Sequence, residues 1–193
     1  TTEIYTLSLH DALPIWMDAV VEGNPVTPRH GYAVEINALW FNAVMFSLEL
    51  AEKVKDTDFI HEWQDLPVKI AKSFVDVFWD FRRGYLADSV YENNKDFSVR
   101  PNMVFACSLD YSPVTEDMKA QILWVIEKEL LTPKGLRTLS PRDPNYKKVY
   151  EGDQNNRDSA YHQGTVWPWL VGHFVEGYLK LHKEEGLFMA EQI

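Results

Sequence analysis

The sequence of 193 residues has a single cysteine, Cys107, which excludes an internal disulfide and a cysteine-based zinc cluster. Cys107 stands in the apolar run Val104-Phe105-Ala106-Cys107, where a lone thiol reads as a small core side chain. Reduced cytoplasm is the simplest compartment for it. Basic residues are also few: 19 Lys and Arg face 29 Asp and Glu, a net charge of −10, and no basic cluster relieves the deficit locally. That argues against nucleic acid as a partner, because phosphate neutralisation needs Lys and Arg in excess. No apolar run approaches the ~20 residues of a membrane-crossing helix, and no secretory signal with a basic start is visible. The reading is a cytoplasmic protein with no membrane partner. Aromatic residues, by contrast, are plentiful, at 13% with seven Trp and nine Tyr. Most of them fill a core, but flat aromatic faces also stack on sugar rings, and the excess fits a carbohydrate site.

The apolar rhythm is helical. Ile36, Leu39, Trp40, Ala43, Val44, Leu48 and Ala51 follow an i, i+3, i+4 pattern and predict a helix over 34–55. A second helix, opened by Thr57 or Asp58, is expected to reach about Phe81, kinked or restarted at Pro67. Residues 82–98 read as loop with a short strand at 85–86. Pro101 suits the first turn of a short helix to about Leu109. A further helix spans 115–131 and ends at Pro133 and Gly135, followed by a short strand at 136–139. Residues 140–159 form a long polar stretch, of a length that is often functional in a loop. A last amphipathic helix covers 165–182. The fold class is therefore all-α, a row of paired helices with a few short strands in the loops, and a toroid of inner and outer helices fits it better than a repeat solenoid.

Glycoside hydrolysis needs two carboxyl groups, one of them a protonated acid. Three clusters offer carboxylates among aromatics and rigid backbone. In Trp16-Met17-Asp18-Ala19, an acid beside Trp and Met is expected to be partly desolvated, which suits a general acid. In Thr27-Pro28-Arg29 and Val34-Glu35-Ile36-Asn37-Ala38-Leu39-Trp40, charged and amide groups crowd a helix N-terminus. The third runs from Arg157 and Asp158 through Tyr161-His162-Gln163-Gly164-Thr165-Val166-Trp167-Pro168-Trp169. Each cluster alone also has a structural reading: a loop salt bridge, an N-terminal carboxylate favoured by the helix dipole, a satisfied core histidine, packing bulk.

Together, and in this order, WMDA, TPR…VEINALW, VRPN, GLRTLSP and YHQGTVWPWL resemble the C-terminal glucosidase domain of glycogen-debranching enzymes, the amylo-α-1,6-glucosidase family. The resemblance covers residues 16–193. Residues 1–15 differ in character and read as a non-native leader, and the family's usual Thr before the WMD motif is Ile15 here. The resemblance implies an incomplete (α/α)6 barrel, truncated at both ends, from an inverting enzyme that removes α-1,6-linked glucose from glycogen or a limit dextrin without metal or cofactor. It implies Asp18 as the acid. It places Trp16, Arg29, Glu35, Asn37, Trp40, Arg100, Asn102, Arg137, His162, Gln163 and Trp167 at or near the glucose pocket. Met103 replaces a common Gln. The family's base carboxylate lies in a stretch resembling EI(F/Y)DG, which is missing from this sequence, so the chain is expected to lack its base. Asp158 and Glu35 are the alternatives within it. Two competing readings remain: another toroid enzyme (a glucoamylase, trehalase or disaccharide phosphorylase), and a non-catalytic helical module, which would not bring Asp18, Arg29, Glu35 and His162 together.

Overall fold

The computed structural model of the chain describes residues 16–193. The leader expected at 1–15 lies outside the described residues. The chain opens with a hairpin of β1 (Val20–Val21) and β2 (Asn24–Pro25). Its turn takes Glu22 and Gly23 through positive φ, 51° and 79°. A strand β3 (Tyr32–Ala33) then feeds directly into α1 (Val34–Val54). That helix stops where Lys55 enters the left-handed region and its N–H returns to the Ala51 and Glu52 carbonyls. Asp56 opens α2 (Thr57–Trp63) by accepting the Phe59 N–H, and α3 (Leu66–Phe78) restarts with Pro67 in its first turn, where a missing N–H costs nothing.

Hairpin β4 (Trp79–Asp80) with β5 (Tyr85–Leu86) follows, and then β6 (Ser89–Tyr91) and β7 (Asn94–Asp96). Strand β6 pairs antiparallel with both β3 and β7, so the stretch read as loop with one short strand contains three. A 3-10 turn at Pro101–Val104 runs into α4 (Phe105–Ser108). Thr115 caps α5 (Glu116–Glu129) by accepting the Met118 N–H. Strands β8 (Leu131–Thr132) and β9 (Gly135–Arg137) lead to the polar stretch, whose end is helical: α6 (Gln154–Tyr161) is capped by Asp153 accepting the Asn156 N–H. The final helix α7 (Trp169–His182) starts later than expected, because β10 (Val166–Trp167) pairs with β9 instead. A 3-10 turn at Lys183–Gly186 and α8 (Leu187–Ala190) complete the described residues.

About half of the chain is helical, with several short strands. The main core packs Phe74 and Phe78 of α3, Cys107 of α4, Ile122 and Ile126 of α5, and Leu170 and Phe174 of α7. A satellite cluster joins Phe41 and Val44 of α1 to Ile70, with Trp40 and Trp63 at its margin. The described residues do not close into a ring. Among them, no helix is long and apolar enough to cross a membrane. The loops preceding α1, α4 and α7 meet on one side of this core, and the candidate site lies there.

Candidate active site

Two buried guanidinium groups build the frame. Arg29 donates through Nη1 and Nη2 to the two carboxylate oxygens of Glu35, at 2.5 and 2.7 Å. Its Nε donates to Asp88 Oδ2 at 2.7 Å and Nη2 also to the Asp88 carbonyl at 2.9 Å. The other Asp88 oxygen accepts from Asn102 Nδ2 at 2.7 Å, and Asn102 Oδ1 in turn accepts from the Trp16 indole N–H at 2.8 Å. Arg29, Glu35, Asp88 and Asn102 are each at most 3% exposed, so one cation faces two carboxylates out of water. Burial alone would lower the Arg29 pKa, but Asp88 and Glu35 outweigh it and hold the guanidinium well above its usual value. Burial pushes the Glu35 carboxyl up, with the Arg29 fork pulling against it.

The second frame is Arg100. Its Nη1 donates to the carbonyls of Thr138 and His162 at 3.1 and 2.7 Å, and its Nη2 to Gln163 Oε1 at 2.9 Å. The Gln163 amide nitrogen then donates to the Val26 carbonyl at 3.0 Å and to Thr27 Oγ1 at 3.2 Å. The loop before β10 is thereby strapped to the segment that follows β2. Burial lowers the Arg100 pKa, and its Nε, like His162 Nδ1, is buried with no hydrogen-bond partner.

The two frames hold a cavity of about 270 Å³ lined by Trp16, Asp18, Tyr161, His162, Trp167 and Trp169. Side chains alternate along its first wall: Met17 is fully buried, while Asp18 is exposed. The enclosure of Asp18 expected from its Trp and Met neighbours is therefore not what these residues provide. Met17 turns into the interior toward Asn102 and Arg100, and the Asp18 carboxyl faces the open side. The Trp16 ring meets His162 and Trp169 edge-on, both at 5.3 Å between centroids. Tyr161 meets Trp167 edge-on at 4.7 Å, and the Trp167 indole donates to the Tyr161 carbonyl at 3.2 Å. Burial pushes the His162 pKa down to about 4, against the opposing pull of Asp18 and with help from Arg100. At neutral pH the imidazole adds no charge, and among the described residues Asp18 is the one carboxylate on the wall.

Of the expected pocket residues, Trp16, Asp18, His162 and Trp167 line the cavity. Arg29, Glu35, Arg100, Asn102 and Gln163 lie behind it as its frame. Asn37 is buried at the start of α1, with its amide on the Ala33 carbonyl at 2.8 Å. Two residues stand elsewhere: Trp40 packs edge-on against Trp63, 6.4 Å away, in the satellite cluster, and Arg137 on β9 points to the Leu131 carbonyl at 3.5 Å. Met103 is buried in the main core. Glu35 is consumed by Arg29, and Asp158 accepts the Gln154 amide along α6 at 2.7 Å, so neither alternative base reaches the cavity. Three residues of the site were not among the candidates. Tyr161 and Trp169 sit inside the quoted YHQGTVWPWL motif, whereas Asp88 gave no local signal. Asp18 and His162 share one cavity, and Arg29 and Glu35 stand behind it, joined to its Trp16 wall by hydrogen bonds through Asp88 and Asn102.

A family model described as amylo-alpha-1,6-glucosidase matches residues 6–192. The chain belongs to this family. It is 30% identical over 209 residues to the glycogen debranching enzyme of Saccharomyces cerevisiae (strain ATCC 204508 / S288c), a match covering 86% of the chain and 14% of that relative. The chain thus spans about a seventh of the length of its curated relative. In this chain, residues 6–192, which match the amylo-alpha-1,6-glucosidase family, include the aromatic cavity, the carboxylate and both arginine frames. An open, aromatic-walled cavity with a carboxylate on its wall offers flat apolar faces beside one acidic group. Among the described residues no group of three or more His, Cys, Asp or Glu is placed to hold a metal ion.

Proposed function

We propose that this chain contributes one side of the glucosidase site of a glycogen-debranching enzyme, as part of an (α/α)6 barrel, and that it acts on a glycogen or limit-dextrin α-glucan in the cytoplasm. The observation that carries the reading is the cavity in which, among the described residues, Asp18 is the only carboxylate and Trp16, Tyr161, Trp167 and Trp169 form aromatic walls. In this mechanism the protonated Asp18 carboxyl gives its proton to the departing O6 of the branch as the C1–O6 bond breaks. Water attacks C1 from the opposite face, and its proton passes to a second carboxylate. The products are free glucose of inverted anomeric configuration and a glucan with a restored 6-hydroxyl. Inversion places the two carboxyls roughly 6.5–9.5 Å apart to admit the water. No second carboxylate lines the cavity among the described residues, so the base is assigned to another part of the longer protein. The buried thiol of Cys107, its pKa raised by burial, is compatible with a reducing compartment.

The test is glucose release from a glycogen limit dextrin by the protein that carries this chain, with Asp18→Asn beside it. Loss of at least about a hundredfold in kcat, with the variant still folded, is the expected outcome for a general acid. Retained activity in the Asn variant would show that Asp18 is structural. Hydrolysis of trehalose or linear maltodextrin in place of limit dextrin would keep the acid and overturn the substrate.

A further inference from the structure

Trp124 is unusual on this molecule. It sits on α5 with its neighbours Leu123 and Val125 in the core, yet it is 61% exposed. The remaining outward positions of that helix are small or polar (Asp117, Ala120, Gln121, Lys128), with no other exposed large apolar side chain. A helix face prepared for a protein partner would repeat its anchors at i+3, i+4 or i+7, and this one does not. The indole instead stands between two clefts, one of about 570 Å³ and one of about 300 Å³, and together with Arg83 and Val125 it lines both.

The walls of the larger cleft are chemically specific. The Arg83 guanidinium lies over the Phe97 ring at 4.8 Å, with its Nε 4.0 Å from Asp80 Oδ2. Across from it, Glu129 accepts from Ser140 Oγ at 2.7 Å and pairs with Arg142 at 3.0 Å. Asp143 completes the lining. Two cations, Arg83 and Arg142, face two anions, Glu129 and Asp143, so the formal charges of the lining cancel. A phosphate or a cationic ligand would find no net attraction there. A neutral polyhydroxyl ring fits both features: its apolar face takes the indole, and its vicinal hydroxyls take planar carboxylate and guanidinium groups. The volumes lie within the range of small-ligand sites.

We propose that the groove around Trp124 binds a chain of hexose units, separate from the Asp18 cavity, with which it shares no lining residue. That the hexoses are α-linked glucose rests on the proposed function above. A second saccharide site lets the protein hold a glucan by one segment while another enters the cavity, so the weak affinity of each is raised by effective concentration.

Maltoheptaose is the probe, titrated into the full chain by calorimetry, with cellohexaose as control. Trp124→Ala and Arg142→Ala both alter exposed side chains, so folding should survive, as circular dichroism will verify. Trp124→Ala is expected to weaken maltoheptaose binding by about tenfold or more, and Arg142→Ala by a smaller factor. Binding unchanged in Trp124→Ala, or no binding of either oligosaccharide by the wild type, overturns the site. Binding of cellohexaose alone overturns the α-glucan assignment here, while the limit-dextrin assay judges the Asp18 reading separately.

Discussion

Replacing Arg29 by Met is the most severe single change the site can suffer. The side chain is similar in length and apolar, so little volume is lost. What goes is the cation bonded to both Glu35 and Asp88, two carboxylates 2% and 3% exposed. Removing one partner of a buried ion pair costs about 3–5 kcal/mol, because the charge left behind has no compensation. Here two are left, and the lower end is reached only if one of them takes up a proton. Against a typical domain stability of about 5–15 kcal/mol, much of the fold's margin disappears. Burial already raises the Glu35 pKa, and loss of Arg29 raises it further. A folded-state pKa above the unfolded value means that the native state gains protons first as pH falls, so the variant should recover stability as pH falls toward the ordinary carboxylate range. Glu35→Gln should be mild, at about 1–2 kcal/mol, because the amide oxygen still accepts from Arg29 and the Asp88 pair survives. Urea unfolding followed by circular dichroism measures both. An Arg29→Met variant within about 1 kcal/mol of wild type, with unchanged denaturant slope, would refute the view that this triad is desolvated and charged.

Two further perturbations test other parts of the site. The His162 pKa is depressed from 6.5 to about 4, so its contribution is complete above pH 6.5 and is lost as pH falls toward 4. Allowing for solvent reaching the ring through the cavity, it amounts to about 1–2 kcal/mol. His162→Gln should flatten the urea midpoint over that interval, and parallel wild-type and variant curves would sink the assignment. Gly135 has φ +142°, and a Cβ there would lie 2.5 Å from the Trp167 carbonyl oxygen. Gly135→Ala should cost about 2–3 kcal/mol by prising β9 from β10, and a melting temperature unchanged within a degree would show that the strands yield freely.

The long helices were legible because their cores are local. The 3.6-residue rhythm of α1, α3, α5 and α7 is written in each segment, and Pro67 and Thr115 mark their starts. Strands of two or three residues have no period to read. They exist because β3 finds β6 and β10 finds β9 across the fold. Helix α6 was missed because it buries only Ala160 and depends on the Asp153 cap, leaving no apolar stripe. The site was half legible. Its aromatic walls sit in quoted motifs, but Asp88 lies in a polar loop and matters only through Arg29 and Asn102, 59 and 14 residues away. For Asp18 the neighbouring Trp and Met revealed composition, not facing.

The strap from Gln163 to Val26 spans 137 residues of chain. Closing so long a loop is entropically expensive compared with forming any helix in between. As the chain leaves the ribosome, α1 to α5 can therefore collapse on one another while the segment carrying Asp18 is still undocked from the loop before β10, which has yet to be synthesised. The cavity is assembled only once Gln163 has been made, and a chain interrupted before it would lack both the second wall of the site and the Leu170 and Phe174 share of the core.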